Sequence, residues 1–276
     1  MNLRQRAVGA VVGSAVGDAL GAPFEFGPAG AFSSRFPVPG AGGEMSGGGG
    51  WDAGEATDDT QMAIHVAESL LEHGGLDLPD IFARFQRWAA DDPKDIGLQT
   101  EDVLTRGLPW DQAATAHYRS SHRAAGNGAL MRANPSAVYF ARDGQQVTMD
   151  AARHIAALAH GDPAAWEGTA IFHDLISVAM DGANPLDELP QILAAVQPGP
   201  VFARSASAFG MAGTPRARFR SAAQPRAASA ANLACPRAWF SRCMPYCGTR
   251  WNAPYGKRSS RVTRPSSSRC PSRSTR

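Results

Sequence analysis

Apolar residues recur along this chain at intervals of three and four rather than two. From Thr60 onward Met62, Val66 and Leu70 alternate with Ala63, Ala67 and Leu71, and Gly74-Gly75 ends the run, which predicts an amphipathic helix. Leu78-Pro79-Asp80 opens a second helix, with Ile81, Phe82, Phe85, Trp88 and Ala89 facing inward and Asp92-Pro93 at its end. Residues 150–159 read as a third. Asp162-Pro163 is an N-cap and first-turn pair for a fourth, running through Trp166, Ile171, Leu175 and Val178. Residues 5–21 read as a further helix in which Gly9, Gly13 and Gly17 fall on every fourth position and leave one face thin enough for another helix to approach. No segment sustains a period of two, so the predicted class is all-α.

Charge divides the chain in a way the averages hide. All 25 Asp and Glu residues precede residue 200, whereas residues 201–276 hold Arg and Lys without a single acid, so the net charge of +2 is a cancellation between an acidic and a basic part. The 7 His lie in the first part and the 4 Cys (Cys235, Cys243, Cys247, Cys270) in the second. Helical periodicity also fades near residue 200. The expected organisation is therefore a helical domain over 1–200 and a basic, disordered or non-native tail over 201–276. Trp239, Phe240, Trp251 and Tyr255 are out of place in a solvated tail. Back-translating residues 232–261 with G/C-rich codons and reading two bases on permits a Pro-marked loop followed by a long amphipathic helix, so a shifted reading frame is preferred to a genuine tail.

Several classes of partner are excluded on this basis. No run approaches the eighteen or so apolar residues that a membrane span would need. Arg4 and Arg6 before residues 7–16 imitate a signal peptide, but that stretch is Gly-rich and runs into Asp18. An acidic, cysteine-free first part suits the reducing cytoplasm. The basic segment could attract nucleic acid, but the acidic domain would repel it, so nucleic acid is not an expected partner. A monomer is expected.

Four segments carry candidate chemistry. Gly54-Glu55-Ala56-Thr57-Asp58-Asp59-Thr60 sets two adjacent carboxylates and two hydroxyls at a helix start; these are hard oxygen donors of the kind Mg²⁺ or Mn²⁺ prefers, although Asp58, Asp59 or Thr60 could equally serve as a cap. The second, Gly17-Asp18-Ala19-Leu20-Gly21 with Glu25, is also acidic; alone, Asp18 reads as a helix-terminal hydrogen-bonding group and Glu25 as a solvated loop acid. Gly126-Asn127-Gly128-Ala129-Leu130-Met131-Arg132 has two glycines that let backbone N–H groups approach a phosphate, or simply make a turn. His160, before the Asp162 cap, reads by itself as an ordinary, partly buried histidine. The Gly-rich residues 40–50 lack the Gly-Lys-Ser/Thr ending of a phosphate-binding loop and read as a flexible loop ending at Trp51.

Taken together, and with Pro23, Asp95-Ile96-Gly97, Pro135 and His160-Gly161-Asp162-Pro163, these segments resemble, in order, the ADP-ribosylglycohydrolase family, which includes dinitrogenase-reductase-activating glycohydrolase. The resemblance runs from about Arg6 to about Ala179. It implies an orthogonal multi-helix bundle, incomplete at the C-terminus, and a metal-dependent hydrolase cleaving the glycosidic bond between ADP-ribose and an acceptor. The acceptor would be an ADP-ribosylated protein or a small ADP-ribosyl compound. It further implies that Thr57, Asp58 and Asp59 bind a pair of Mg²⁺ ions, with Mn²⁺ as the alternative, and that Glu25 is the acidic residue at the metal. Glu25, Asp58 and Asp59 are then the catalytic group. Gly126, Asn127 and Gly128 would line the ADP-ribose diphosphate and His160 the distal part of the substrate. Asp18 would support the ligands from behind and Arg132 would be a structural partner. The family's late Asp-x-Asp-Thr motif has no counterpart, since no Asp follows Asp187. The resemblance thus also admits a non-catalytic ADP-ribose-binding or structural relative.

Overall fold

The computed structural model describes residues 1–38, 45–121 and 124–195. The expectations for residues 201–276, a disordered or non-native tail and a shifted frame, lie outside the described residues. Among the described residues there is no β-strand, only an isolated bridge between Gly48 and Trp51. The helices are α1 (Leu3–Gly21), α2 (Ala31–Arg35), α3 (Asp58–His73), α4 (Leu78–Ala90), α5 (Leu98–Thr105) and α6 (Ala113–Ser120). They continue with α7 (Gly128–Met131), α8 (Asn134–Phe140), α9 (Gln145–Ala157), α10 (Pro163–Asp181) and α11 (Pro185–Ala195).

Local chemistry explains the boundaries of the helices legible in the sequence. Thr57 caps α3, and Gly74, at φ 65°, ends it in the left-handed conformation that a side chain would strain. The Asp77 carboxylate accepts the Asp80 N–H (2.9 Å) at the start of α4, with Pro79 in the first turn. The Asp162 carboxylate accepts the Ala164 N–H (2.9 Å) at the start of α10. The helix expected from residue 150 begins earlier, at Gln145, because Gly144 starts it without a side-chain cap and its first turn is polar.

The main core joins α3, α4 and α5 to α9. Met62, Val66 and Leu70 meet Ile81, Phe82 and Phe85, with Val103, Ile155 and Leu158 behind them. Among the described residues three further apolar clusters form along α10, where Ile171 and Leu175 face Met149 and Ile192, Phe172, Ile176 and Met180 face Leu130 and Ala137, and Ala165 meets Ala129 and Ala156. α7 and α8 pack against α3 on one side and α10 on the other, which carries the glycine segment toward the start of α3.

Two expectations change here. The helix Leu3–Phe24 is long and apolar enough to cross a membrane by length and composition. Its Gly and Ser residues interrupt the apolar positions without making the helix polar. It lies near the N-terminus, where the core helix of a soluble protein or a signal sequence gives the same result. The glycine face is also not closed at Gly9, where a Cβ would meet nothing nearer than the Met1 methyl at 4.0 Å. The end of the Gly-rich loop is built as a turn. Gly48 and Trp51 exchange backbone bonds of 2.9 and 3.0 Å, and a Cβ on Gly49 would come within 3.1 Å of the Pro23 carbonyl.

Candidate functional site

The acidic corner is organised by Asp18, near the end of α1 and only 2% exposed. One carboxylate oxygen accepts from the Thr57 hydroxyl (2.7 Å); the other accepts from the Thr57 N–H (2.9 Å), the Thr60 hydroxyl (2.7 Å) and the Thr60 N–H (3.3 Å). A carboxylate accepting several donors at once is well compensated for its burial. The Thr57 hydroxyl, whose proton goes to Asp18, accepts the Asp59 N–H (3.3 Å). Asp18 therefore fixes the turn that presents Asp58 and Asp59, both buried.

The Thr57 hydroxyl, Asp58 and Asp59 are oxygen donors of the type magnesium takes, and magnesium commonly binds through one or two carboxylates while keeping several waters. These residues therefore fit one such ion. They do not by themselves make a cage for two: among the described residues no three His, Cys, Asp or Glu side chains form a group able to hold an ion. Glu25 is accordingly not gathered with Asp58 and Asp59 into such a group. It is half-buried, ending a short 3-10 turn (Ala22–Phe24), where its N–H donates to the Ala22 carbonyl (3.3 Å). The segment that follows is held by packing of Phe24, Phe32 and Phe36, with ring centroids 5.1–6.3 Å apart.

The second half of the site is the glycine segment against His160. A Cβ on Gly128 would come within 2.9 Å of the His160 ring and 3.3 Å of the Thr100 hydroxyl; one on Gly126 would come within 3.2 Å of the ring and 3.3 Å of the Gln99 carbonyl oxygen. Only glycine admits this approach without a shift. His160 is buried, not partly buried as its sequence context suggested, and its Nδ1 has no hydrogen-bond partner. Burial, then the positive charge of Arg132 and then His117, push its pKa well below the ordinary histidine value, so the ring is neutral. Asn127 is half-buried at the start of α7.

Arg132 joins the halves. Its Nη1 donates to the Gly128 carbonyl (2.6 Å) and its Nη2 to the Ile155 carbonyl (3.3 Å). Burial pushes its pKa down to about 9, opposed by the Asp58 carboxylate, and it stays protonated at neutral pH. Two neighbours had no signal in the sequence. Gln99, in the first turn of α5, donates to the carbonyls of Ala124 (2.9 Å) and Ala159 (3.1 Å) and so ties the glycine segment to the residue before His160. His117, on α6, meets Asp102 through Nδ1 (2.5 Å). An isolated Gln or His on a short, mixed helix points nowhere in particular.

The order of these parts along the chain agrees with a family model described as ADP-ribosylglycohydrolase, which matches residues 1–243. This chain belongs to the ADP-ribosylglycohydrolase family. The match passes the composition break near residue 200. The chain is 39% identical over 140 residues to the ADP-ribosyl-[dinitrogen reductase] glycohydrolase of Rhodospirillum rubrum, covering 50% of this chain and 45% of that protein. It is 32% identical over 154 residues to the ADP-ribosylarginine hydrolase Tri1 of Serratia proteamaculans, covering 52% and 39%. A solved structure described as an ADP-ribosylglycohydrolase-related protein complex superposes with a TM-score of 0.60 at 31% identity, covering 87% of this chain and 77% of that one. The all-helical bundle is thus of the ADP-ribosylglycohydrolase type. The chain spans less than half the length of the curated relatives it matches.

Proposed function

We propose that this chain is a metal-dependent hydrolase of the bond between ADP-ribose and an acceptor, with ADP-ribosylarginine as the first substrate class to test. The observation carrying the proposal is the pair of buried carboxylates, Asp58 and Asp59, on a turn whose cap is gripped by Asp18. Two buried carboxylates beside a capping hydroxyl at a helix start are hard oxygen donors of the kind a divalent cation takes. Relatives with matching segments are named as hydrolases of ADP-ribosylarginine and of ADP-ribosyl-dinitrogen reductase.

In this reading Thr57, Asp58 and Asp59 hold Mg²⁺, or Mn²⁺ in its place. When bound, magnesium would supply Lewis acidity to position water and the ribose diol. Residues 126–128 receive the diphosphate through backbone N–H groups, and neutral His160 offers a hydrogen-bonding ring without adding charge. As the anomeric C–N bond breaks, positive charge grows on the sugar, which nearby carboxylates stabilise; water adds its hydroxyl to the carbon and the leaving guanidine takes the proton. Glu25 enters only as the acidic residue that the family resemblance assigns beside the metal. In this reading residues 1–276 turn substrate over slowly, because no Asp follows Asp187 among them to complete the acidic site. A monomer in the cytoplasm, acting on ADP-ribosylated protein without nucleic acid, completes the proposal.

The test is magnesium-dependent release of ADP-ribose from an ADP-ribosylarginine peptide. The full chain should release it, a frame-restored version should release it faster, and Asp58→Asn should fall to background. Metal-independent release, or release unchanged in Asp58→Asn, would overturn the assignment. Equal rates for the two versions would dispose of the slow-turnover reading. A second reading, a non-catalytic ADP-ribose-binding relative, is favoured by the lack of a three-ligand group among the described residues. Saturable ADP-ribose binding with no release would select it.

A further inference from the structure

Among the described residues Arg132 is the largest fully buried side chain, at 0% exposure. Its guanidinium lies over the Phe85 ring, 5.1 Å from the centroid, and spends two donors on the carbonyls of Gly128 and Ile155. Its Nε is buried with no hydrogen-bond partner.

A packing role does not account for this. Replacing a buried charge with apolar side chains of similar volume is often neutral or stabilising, so a site needing only volume has no use for arginine. Buried donors in native proteins are nearly all paired, and an unpaired one asks for a reason. Of the two carbonyls that Arg132 holds, that of Gly128 belongs to the glycine segment and that of Ile155 to α9. Because the Gly128 carbonyl turns toward the guanidinium, the N–H of Ala129 in the same planar trans peptide turns the opposite way. His160, whose ring lies against Gly126 and Gly128, is held neutral and adds no charge of its own. Residues 124–132 contain no acid. Asp58 offsets part of the Arg132 charge, but in a buried setting the remainder acts over a longer range than in water.

We propose that Arg132 is the positioning residue for the diphosphate of a nucleoside diphosphate sugar: it fixes the Gly128 peptide through its carbonyl and places a permanent positive charge behind the loop. This rests on the reading of residues 126–128 as the diphosphate-binding loop. Arg132 touches the loop and not the reacting bond, so it sets affinity for the phosphates rather than the chemistry at the ribose.

The test uses the full chain, binding of ADP-ribose and of adenosine by calorimetry, and thermal melts of each variant. Arg132→Met should weaken ADP-ribose by roughly 10- to 100-fold, the range expected for a lost charge-assisted contact, and leave adenosine within about twofold. Arg132→Lys keeps the charge but cannot reach both carbonyls, and should show a smaller loss with the same preference for the phosphate-bearing ligand. Equal losses for both ligands, or none, overturn the proposal, since a structural residue would not distinguish them. If Arg132→Met does not fold, Arg132→Lys decides by the same criterion. A wild-type chain that binds ADP-ribose no better than adenosine removes the diphosphate reading of the loop, and the proposal with it.

Discussion

α1 and α10 are each 19 residues long, yet twelve residues of α10 are buried and only Asp18 and Ala19 of α1. α10 is enclosed by α7, α8, α9 and α11 and supplies the floor of three apolar clusters among the described residues. α1 leaves Val8, Val11 and Val12 exposed and does its work at its ends. Arg6 donates to the Met180 carbonyl (2.8 Å), and Asp18 binds the start of α3. Apolar content alone does not decide which helix becomes core; how much of its surface the neighbours cover does. One helix holds the fold together, and the other delivers a carboxylate.

The largest effect that could break this contrast lies in α10. Ile171→Ala removes a fully buried side chain from a packed cluster and should cost about 4 kcal/mol, read from the denaturant midpoint. A cost below about 1 kcal/mol would show that α10 is not the structural helix. Next comes Asp18→Ala, which strips four donors of their shared acceptor; a loss of roughly 3 kcal/mol is expected and, on the proposed magnesium reading, weaker metal binding. Stability unchanged within error would mean that α1 merely rests against α3.

A pH series sharpens the contrast further. His173 of α10 donates from Nδ1 to the Thr148 carbonyl (3.0 Å) and meets the Ser136 hydroxyl through Nε2 (3.0 Å). Burial pushes its pKa down to about 4, against the opposing effect of the Thr148 and Ala133 carbonyls. Between pH 6.5 and 4 the unfolded chain therefore binds the extra proton, so stability rises with pH across this window and is lost as pH falls through it. The difference is at most roughly 3 kcal/mol. His173→Gln should flatten that part of the profile, and parallel profiles for wild type and variant would exclude His173 as a source. The smallest effect belongs to α1: Val12→Ser should stay within about 0.5 kcal/mol. A large loss there would reveal a covered face.

How much of this was legible beforehand follows from the same contrast. α3, α4 and α10 announce themselves because a capping side chain, a regular apolar stripe and a glycine or proline stop coincide. α5, α6 and α8 do not. α6 turns Ala113, Ala114 and His117 inward, and small residues make a faint stripe; its helicity is decided by what packs on it. At the site, Asp58, Asp59 and the two glycines could be picked out by residue type. The supporting use of Asp18 comes from the family resemblance and not from spacing, since its partners lie 39 and 42 residues on. The pairing of Arg132 with Gly128 follows helical spacing, but the Phe85 ring beneath it and the neutrality of His160 depend on enclosure that no local pattern records.

The bond between Arg6 and Met180 spans 174 residues, and Gly182 lies so close to the same guanidinium that a Cβ there would meet it at 2.7 Å. On the ribosome this has a consequence in time. At about 5 to 20 residues per second, α1 would wait roughly 10 to 35 seconds after its own synthesis before its anchor on α10 exists. Throughout that interval Ala7, which packs against the Phe172 and Met180 cluster in the finished fold, has no cover, so yield in the cell should respond to elongation rate and chaperone supply.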